Sequence, residues 1–490
     1  MSTINVTVNE KGFEYDIHSL VKAFYPESEV KVEIGDCDYD IAIAFDNSGI
    51  SIKDTSGKVR IEEYADGEKD LVEDRTEIKN VLKKLVYVFL SQKEGRELPW
   101  GTLTGIRPTK IPMTMLNNGV SEDEIRKYMK EVYLLSDEKM NLAIDIAKRE
   151  KKLLGNIHYK DGYSLYIGIP FCPTTCLYCS FTSYAISSWK KRVDEYLDAL
   201  CHELEYVAKS NEGNILDTIY IGGGTPTTLE PEHLERLLSK IVSLFNMDSI
   251  QEFTIEAGRP DSITPEKLDV IRKYPVTRIS VNPQTMNQKT LDLIGRRHSV
   301  EQVKEAFQLA RSKGFNNINM DIILGLPGED IQDVAYTIDE IKKLNPDSLT
   351  IHSLAIKRAS KLAQVISEKG FDLIANSGST DAAMEVGAAG TKAMGMEPYY
   401  LYRQKNMSGN LENVGFSKEG KEGIYNILIM EEVQTIIACG AGTVTKRVYP
   451  GDGVSGPNIR IERCDNVKDV ALYIEKIDEM INRKRELFKD

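Results

Sequence analysis

The sequence predicts an α/β protein built on a parallel sheet, and two observations carry that expectation. From Tyr163 onward, strand-like apolar runs alternate with helical stretches. Such alternation implies parallel strands joined by right-handed crossovers. The residues able to do chemistry also gather just after the strands, the end that carries the site in barrel-like βα folds. Strands are expected over residues 164–169, 218–221, 251–256, 278–282, 317–324, 348–354 and 399–402. Helices are expected over 194–208, 231–245, 265–273, 300–313 and Ile331–Leu344.

The remainder of the 490 residues is organised differently. Up to about residue 85, β-like runs (Ile41–Phe45, then 50–52) mix with acidic, turn-rich connections. Ile78, Val81, Leu82, Leu85 and Phe89 then mark one face of a helix over 77–91, and two more helices are expected between 121 and 152. These features describe an α+β accessory domain over 1–155, ahead of a βα region over 156–395 and a C-terminal region over 396–490. The last region is less regular: aromatics and cations crowd 399–406, Gly440-Ala441-Gly442-Thr443 reads as a tight turn, and a helix over 467–487 closes the chain. The N-terminus has no basic, apolar leader pattern, and no run reaches the roughly 18 apolar residues of a membrane span. A cytoplasmic, reducing location is expected. The net charge of −13 argues against non-specific nucleic-acid binding through a basic surface.

Cys172, Cys176 and Cys179 form a C-x3-C-x2-C group directly after the first strand of the βα region. Three thiolates can hold one metal centre but cannot saturate a four-iron cluster, so one iron stays open to a small molecule. A structural zinc would want a fourth cysteine or histidine, and the nearest are Cys201, His158 and His202. The seven cysteines are odd in number, which disfavours a full disulfide set. Cys37, Cys201, Cys439 and Cys464 are scattered and read as ordinary small residues.

The second strand runs into Gly222-Gly223-Gly224-Thr225-Pro226. No Gly-Lys-Ser/Thr follows, so it is not a P-loop, and Thr227 breaks the dinucleotide fingerprint. Three glycines do permit close backbone approach to a ligand, or simply a tight turn. Glu256, Gln284 and Asp321 stand at or just beyond strand ends, where acceptors suit ribose hydroxyls and ammonium groups. Capping of the following helix or turn is the equal alternative. Arg296 and Arg297 could clamp a carboxylate or be solvated loop charges. The six histidines are too dispersed to form a ligand set.

In combination, Pro170-Phe171-Cys172-x3-Cys176-x2-Cys179, Gly-Gly-Gly-Thr-Pro, Thr254-Ile255-Glu256-Ala257, Gln284, Arg296 and Asp321 before Gly325-Leu326-Pro327 resemble the radical S-adenosylmethionine enzymes. More narrowly they resemble the oxygen-independent coproporphyrinogen III oxidase (coproporphyrinogen dehydrogenase) family. The stretches 98–110 and 399–413 are similar to its HemZ-type branch. The resemblance implies a partial (βα)6-type barrel with an N-terminal α+β accessory domain and a C-terminal extension. It implies that Cys172, Cys176 and Cys179 hold a 4Fe–4S cluster whose open iron chelates S-adenosylmethionine, one molecule or two. Tyr178 would pack on the adenine, and Gly224 and Thr225 would meet the methionine. Glu256, Gln284, Arg296 and Asp321 would hold the methionine and ribose ends, with Tyr166 supporting the cluster region. A reduced flavodoxin or ferredoxin would donate the electron. The 5′-deoxyadenosyl radical would then start decarboxylation of two substrate propionates to vinyl groups in anaerobic haem biosynthesis. Lys357, Arg358, Arg403 and Lys405 are the candidate cations for the substrate's carboxylates.

Two features separate this chain from the well-known oxidases. Ser180-Phe181 follows Cys179 where a fourth cysteine is usual, and Gly168 replaces a common histidine. The haem-chaperone branch shares the missing cysteine, but its His-Asn-x-x-Tyr-Trp signature is matched here by Tyr425-Asn426-Ile427-Leu428-Ile429-Met430. A haem-binding chaperone and a radical enzyme acting on another tetrapyrrole are therefore the alternatives.

Overall fold

The computed structural model describes residues 2–35, 37–64, 74–105, 107–179, 183–355, 361–362, 364, 377–404, 411–449 and 460–489. Ser180, Phe181, Lys357, Arg358 and Lys405 lie outside these residues. The chain divides into two compact units, Met1–Asp145 and Ile146–Asp490.

In the first unit, strands β1 (Thr3–Val8), β2 (Glu29–Ile34), β3 (Ile41–Phe45), β4 (Gly49–Asp54) and β5 (Val59–Glu63) form one sheet in the order β2-β1-β3-β4-β5. The alternation in Ile41-Ala42-Ile43-Ala44-Phe45 buries Ile41, Ile43 and Phe45 on one face, as a period of two requires. Helices Glu14–Phe24 and Arg75–Glu94 share that core, the second through Ile78, Leu82, Leu85 and Phe89. Helix Glu122–Tyr133 begins at a reciprocal cap between Ser121 and Glu124.

The second unit contains the parallel sheet. Strands β6 (Gly162–Ile169), β9 (Ile215–Gly223), β10 (Glu252–Gly258), β11 (Arg278–Val281), β12 (Ile318–Leu324) and β13 (Ser348–Ser353) lie side by side in chain order, each parallel to the next. Helices Val193–Ser210, Pro231–Leu244, Pro265–Arg272, Val300–Ser312 and Ile331–Leu344 make the crossovers. The short strands β7 (Phe171–Cys172) and β8 (Tyr184–Ala185) pair with each other after β6. The sheet's two faces differ in chemistry. Leu165, Ile167, Ile219, Ile221, Phe253 and Ile255 are buried on one face, whereas Tyr166, Tyr220, Glu252, Glu256, Arg278 and Asp321 alternate with them on the other. A polar inner face of this kind is what a ligand-holding concavity needs.

The sheet is extended at both ends by strands the sequence pattern left largely unmarked. β15 (Asn413–Ser417) pairs antiparallel with β13, and β14 (Glu397–Tyr402) pairs antiparallel with β15. The strand expected over 399–402 thus exists, but β15 separates it from β13. At the other end β16 (Thr435–Cys439) runs parallel to β6, followed by the antiparallel β17 (Val444–Tyr449) and β18 (Arg460–Asp465). The eleven strands end in the edges β14 and β18, so the sheet is an open, partial barrel. Gly440 and Gly442, both at positive φ, turn the chain between β16 and β17. The closing helix is two helices, Val470–Glu475 and Ile477–Leu487, which meet at Lys476.

Candidate active site: the cysteine loop and the carboxyl ends of the strands

The cysteine loop leaves β6 at its carboxyl end and is held by main-chain bonds. Leu177 N donates to Ile294 O at 3.1 Å, Leu362 N to Leu177 O at 2.8 Å, and Cys179 N to Cys176 O at 3.3 Å. The triple-glycine segment runs alongside: Gly224 N donates to Ile169 O and Thr225 N to Phe171 O, both at 2.7 Å. A Cβ on Gly224 would stand 2.5 Å from Phe171 O and 2.9 Å from Ile169 O, so only glycine fits this approach. Thr225 Oγ1 lies 3.6 Å from Cys172 Sγ. Burial foremost pushes the Cys172 thiol up; Thr225 opposes this, while the neighbouring Cys179 and Cys176 add to it. Among the described residues no three Cys, His, Asp or Glu side chains converge as they would on a single ion.

Tyr178, inside the loop, packs with Leu291, Ile294, Ile323, Leu326, Leu354 and Leu362. Arg296 interacts with both Tyr178 and Cys176, and its Nη1 donates to Asn282 O at 2.7 Å. Arg297, its neighbour, is exposed and stays a surface charge.

The strand-end acceptors form a second group. Tyr220 donates its hydroxyl to Glu256 Oε1 at 2.5 Å. Tyr166, Tyr220 and Tyr425 stack with centroids 6.0, 4.5 and 6.0 Å apart. Burial above all pushes the Glu256 carboxyl up to about 7; Asp321 adds to this, and Tyr220, Arg278 and His352 oppose it. Asp321 accepts from Asn319 Nδ2 at 2.7 Å and lies 3.9 Å from His352 Nε2. Burial alone would raise Asp321, but His352, Asn319 and Arg278 outweigh it and hold the carboxyl below its usual value. Gln284 sits in the left-handed region at φ 70°, a strained place for a residue with a side chain. Its N–H donates to Asp321 O at 2.9 Å, and its carbonyl accepts from Ile323 N at 2.9 Å. None of Glu256, Gln284 and Asp321 caps the helix that follows; Thr264, Asn287 and Asp330 hold those N-cap positions.

Several participants were not singled out from sequence. Arg259 and Asp261 lie just past the Glu256 strand, and Arg259 reaches the cysteine loop. His298, the histidine beside Arg297, is buried with neither ring nitrogen hydrogen-bonded among the described residues, and its Nδ1 lies 3.9 Å from Asp261 Oδ1. Burial first, then Arg296, pulls it down to about 4, with Asp261 opposing. Gly258-Arg259-Pro260-Asp261 placed a cation at a strand end, a readable signal; Tyr425, His352 and Arg278 gave none. Arg403, expected near the substrate, is buried, with Nε 3.5 Å from Leu411 O.

Residues 166–341 match the radical SAM superfamily model. The fold is similar to a solved structure of coproporphyrinogen III oxidase HemN from Escherichia coli, with a TM-score of 0.53 and 21% identity over 67% of this chain and 72% of that one. The protein is thus of the radical S-adenosylmethionine class. Over 97% of its length the chain is 38% identical to the oxygen-independent coproporphyrinogen-III oxidase-like protein HemZ of Bacillus subtilis (strain 168), spanning 96% of that relative. It belongs to this HemZ family of the radical SAM superfamily. The heme chaperone HemW of the same organism is 39% identical over 40% of this chain, which spans about half (51%) of that relative.

The superfamily implies a 4Fe–4S cluster and S-adenosylmethionine, and the residues present fit both. Three neighbouring thiols stand beside a glycine cradle that admits no Cβ. Ser280 Oγ, Asn282 Oδ1 and Arg296 Nε are buried without a hydrogen-bond partner among the described residues, an arrangement that favours a polar ligand. No helix among the described residues is long and apolar enough to cross a membrane.

Proposed function

We propose that the chain carries out the oxidative decarboxylation of two propionates of coproporphyrinogen III to vinyl groups, giving protoporphyrinogen IX. The observation that carries this reading is the cysteine loop, which leaves the carboxyl end of β6 beside Thr225, in a sheet whose inner face carries the acceptors Glu256 and Asp321. In this reading Cys172, Cys176 and Cys179 hold the cluster, and Tyr178 packs on the adenine. Gly224 and Thr225 receive the methionine through the close backbone approach. Glu256, Gln284, Arg296 and Asp321 orient the methionine and ribose, and Tyr166, its ring against Tyr220 and Tyr425, supports the cluster region. When bound, cluster and cofactor supply reductive cleavage of a sulfonium and hydrogen-atom abstraction from substrate.

The chain's own residues bind, orient and exclude water. Gly224 brings the backbone close, Asp321 remains an ionised acceptor, and the tyrosine stack removes solvent from around Glu256. Two propionates require two rounds, each consuming one S-adenosylmethionine, bound one after the other or two together. A reduced flavodoxin- or ferredoxin-type protein supplies electrons in the cytoplasm. Residues 1–155 form the accessory domain, 156–395 the catalytic barrel and 396–490 the substrate side.

The likeness to the heme chaperone HemW favours a second reading, haem binding with a vestigial radical site. Action on another tetrapyrrole is the third. Product mass after anaerobic turnover separates them. Coproporphyrinogen III should lose two carboxyl groups; cofactor cleavage with both propionates intact would sink the oxidase reading, and stoichiometric haem binding would replace it.

A further inference from the structure

Arg259 is a buried cation held between Asp261 and the cysteine loop, with one nitrogen near a thiol. Its side chain is 3% exposed and holds Asp261 in a two-point pair, Nε to Oδ1 at 2.9 Å and Nη2 to Oδ2 at 2.8 Å. That fork fixes the plane of the guanidinium, a geometry lysine cannot reproduce. The remaining nitrogen, Nη1, donates to Thr174 Oγ1 at 2.8 Å and Thr174 O at 3.0 Å, and lies 3.9 Å from Cys176 Sγ. Arg296 interacts with the same thiol from the β11 side. Cys176 therefore lies against two buried guanidiniums, whereas Cys172 has the Thr225 hydroxyl at 3.6 Å and feels the Arg259 charge only as a smaller effect.

We propose that Arg259 positions Cys176 and tunes the cluster, its charge making one-electron reduction easier and the paired Asp261 moderating that effect. This rests on the reading of Cys172, Cys176 and Cys179 as cluster ligands. Reduction moves one electron from an external one-electron donor onto the cluster and adds one negative charge to it. A cation held beside a ligating sulfur in a water-poor site stabilises that added charge, and hydrogen bonds to the sulfurs shift potentials the same way. Asp261 carries the opposite charge one residue further out, so its removal should act in the opposite direction. A mere strut for the loop would not give effects of opposite sign.

The test is a dithionite redox titration of the anaerobically reconstituted full chain, read by EPR of the reduced cluster after iron has been counted. Arg259→Gln, which keeps a donor for Thr174 but loses the charge, is expected to lower the reduced-to-oxidised ratio at a fixed potential about tenfold, equivalent to a shift of about 59 mV to more negative values. Asp261→Asn is expected to move the potential the other way, and Arg259→Lys to stay nearer wild type than Arg259→Gln. Shifts in the same direction for Arg259→Gln and Asp261→Asn, or none in either with full iron content, would overturn the proposal. If Arg259→Gln loses its iron, Asp261→Asn decides alone: a positive shift supports the tuning role and no shift refutes it. A wild-type chain without about four irons would overturn the cluster reading itself, an outcome the iron count separates from any change in potential.

Discussion

Glu256 shows how a single carboxyl can be set for a ligand at a cost to the fold. Its ordinary value of 4.5 is pushed up to about 7, mainly by burial. Between those values the folded chain keeps a proton that the unfolded chain releases, so stability falls as pH rises through that window. Glu256→Gln removes this term. In the ligand-free protein, urea denaturation should find the variant gaining on wild type from about pH 5 to about pH 8, by at most about 1.4 kcal/mol per pH unit; a constant difference would refute the burial argument. Gly224→Ala should be more damaging. Its new Cβ would meet fixed backbone at 2.5 Å, so a loss of about 1–3 kcal/mol is expected in the same assay, together with weaker S-adenosylmethionine binding. At this scale the candidate site was legible where polar residues fall within or just after an apolar strand, as with the cysteines, Glu256 and Asp321. It was not legible where partners meet only in space: Arg259 reaches Thr174 across 85 residues, and Tyr425 joins Tyr220 through stacking alone.

Among the elements, the βα alternation was readable because its strands are short apolar runs separated by helical stretches. Asp330 starts one of those helices, Ile331–Leu344. Its carboxylate accepts from Gln332 N at 2.8 Å and Asp333 N at 3.1 Å, and Asp333 Oδ2 accepts in return from Asp330 N at 3.1 Å. Asp330→Ala should cost about 1 kcal/mol in denaturant titration, with iron content unchanged. The flanking strands were hard to read for physical reasons. β17 and β18 carry Lys446, Arg447, Arg460, Glu462 and Arg463, charges that suit a strand at or near an exposed edge and blur the apolar pattern. β15 contains Gly415, which sequence alone marks as a break. In the sheet it makes room for the Tyr400 ring, whose Cε1 would lie 1.8 Å from an added Cβ.

A buried polar network ties the C-terminal helices of the second unit to its sheet. Glu203, on helix Val193–Ser210, accepts from Lys484 Nζ at 2.6 Å, Tyr473 OH at 2.6 Å, Asn466 Nδ2 at 2.8 Å and Gly440 N at 2.8 Å. Beside it Tyr196 OH donates to Gly168 O at 2.6 Å, so the C-terminal helices are coupled to the strand that leads into the cysteine loop. Lys484→Met would leave a buried carboxylate without its cation and should cost about 3–5 kcal/mol, with Glu203→Gln in the same chain recovering part of the loss. An additive double variant would show that the pair does not act as a unit. The central claim for the whole molecule is that three cysteines hold a cluster with one iron left for S-adenosylmethionine. EPR of the reconstituted, reduced full chain, with and without S-adenosylmethionine, tests it most directly. The account expects a cluster signal that changes saturably as the cofactor is added. A four-iron signal unmoved by saturating S-adenosylmethionine would contradict it.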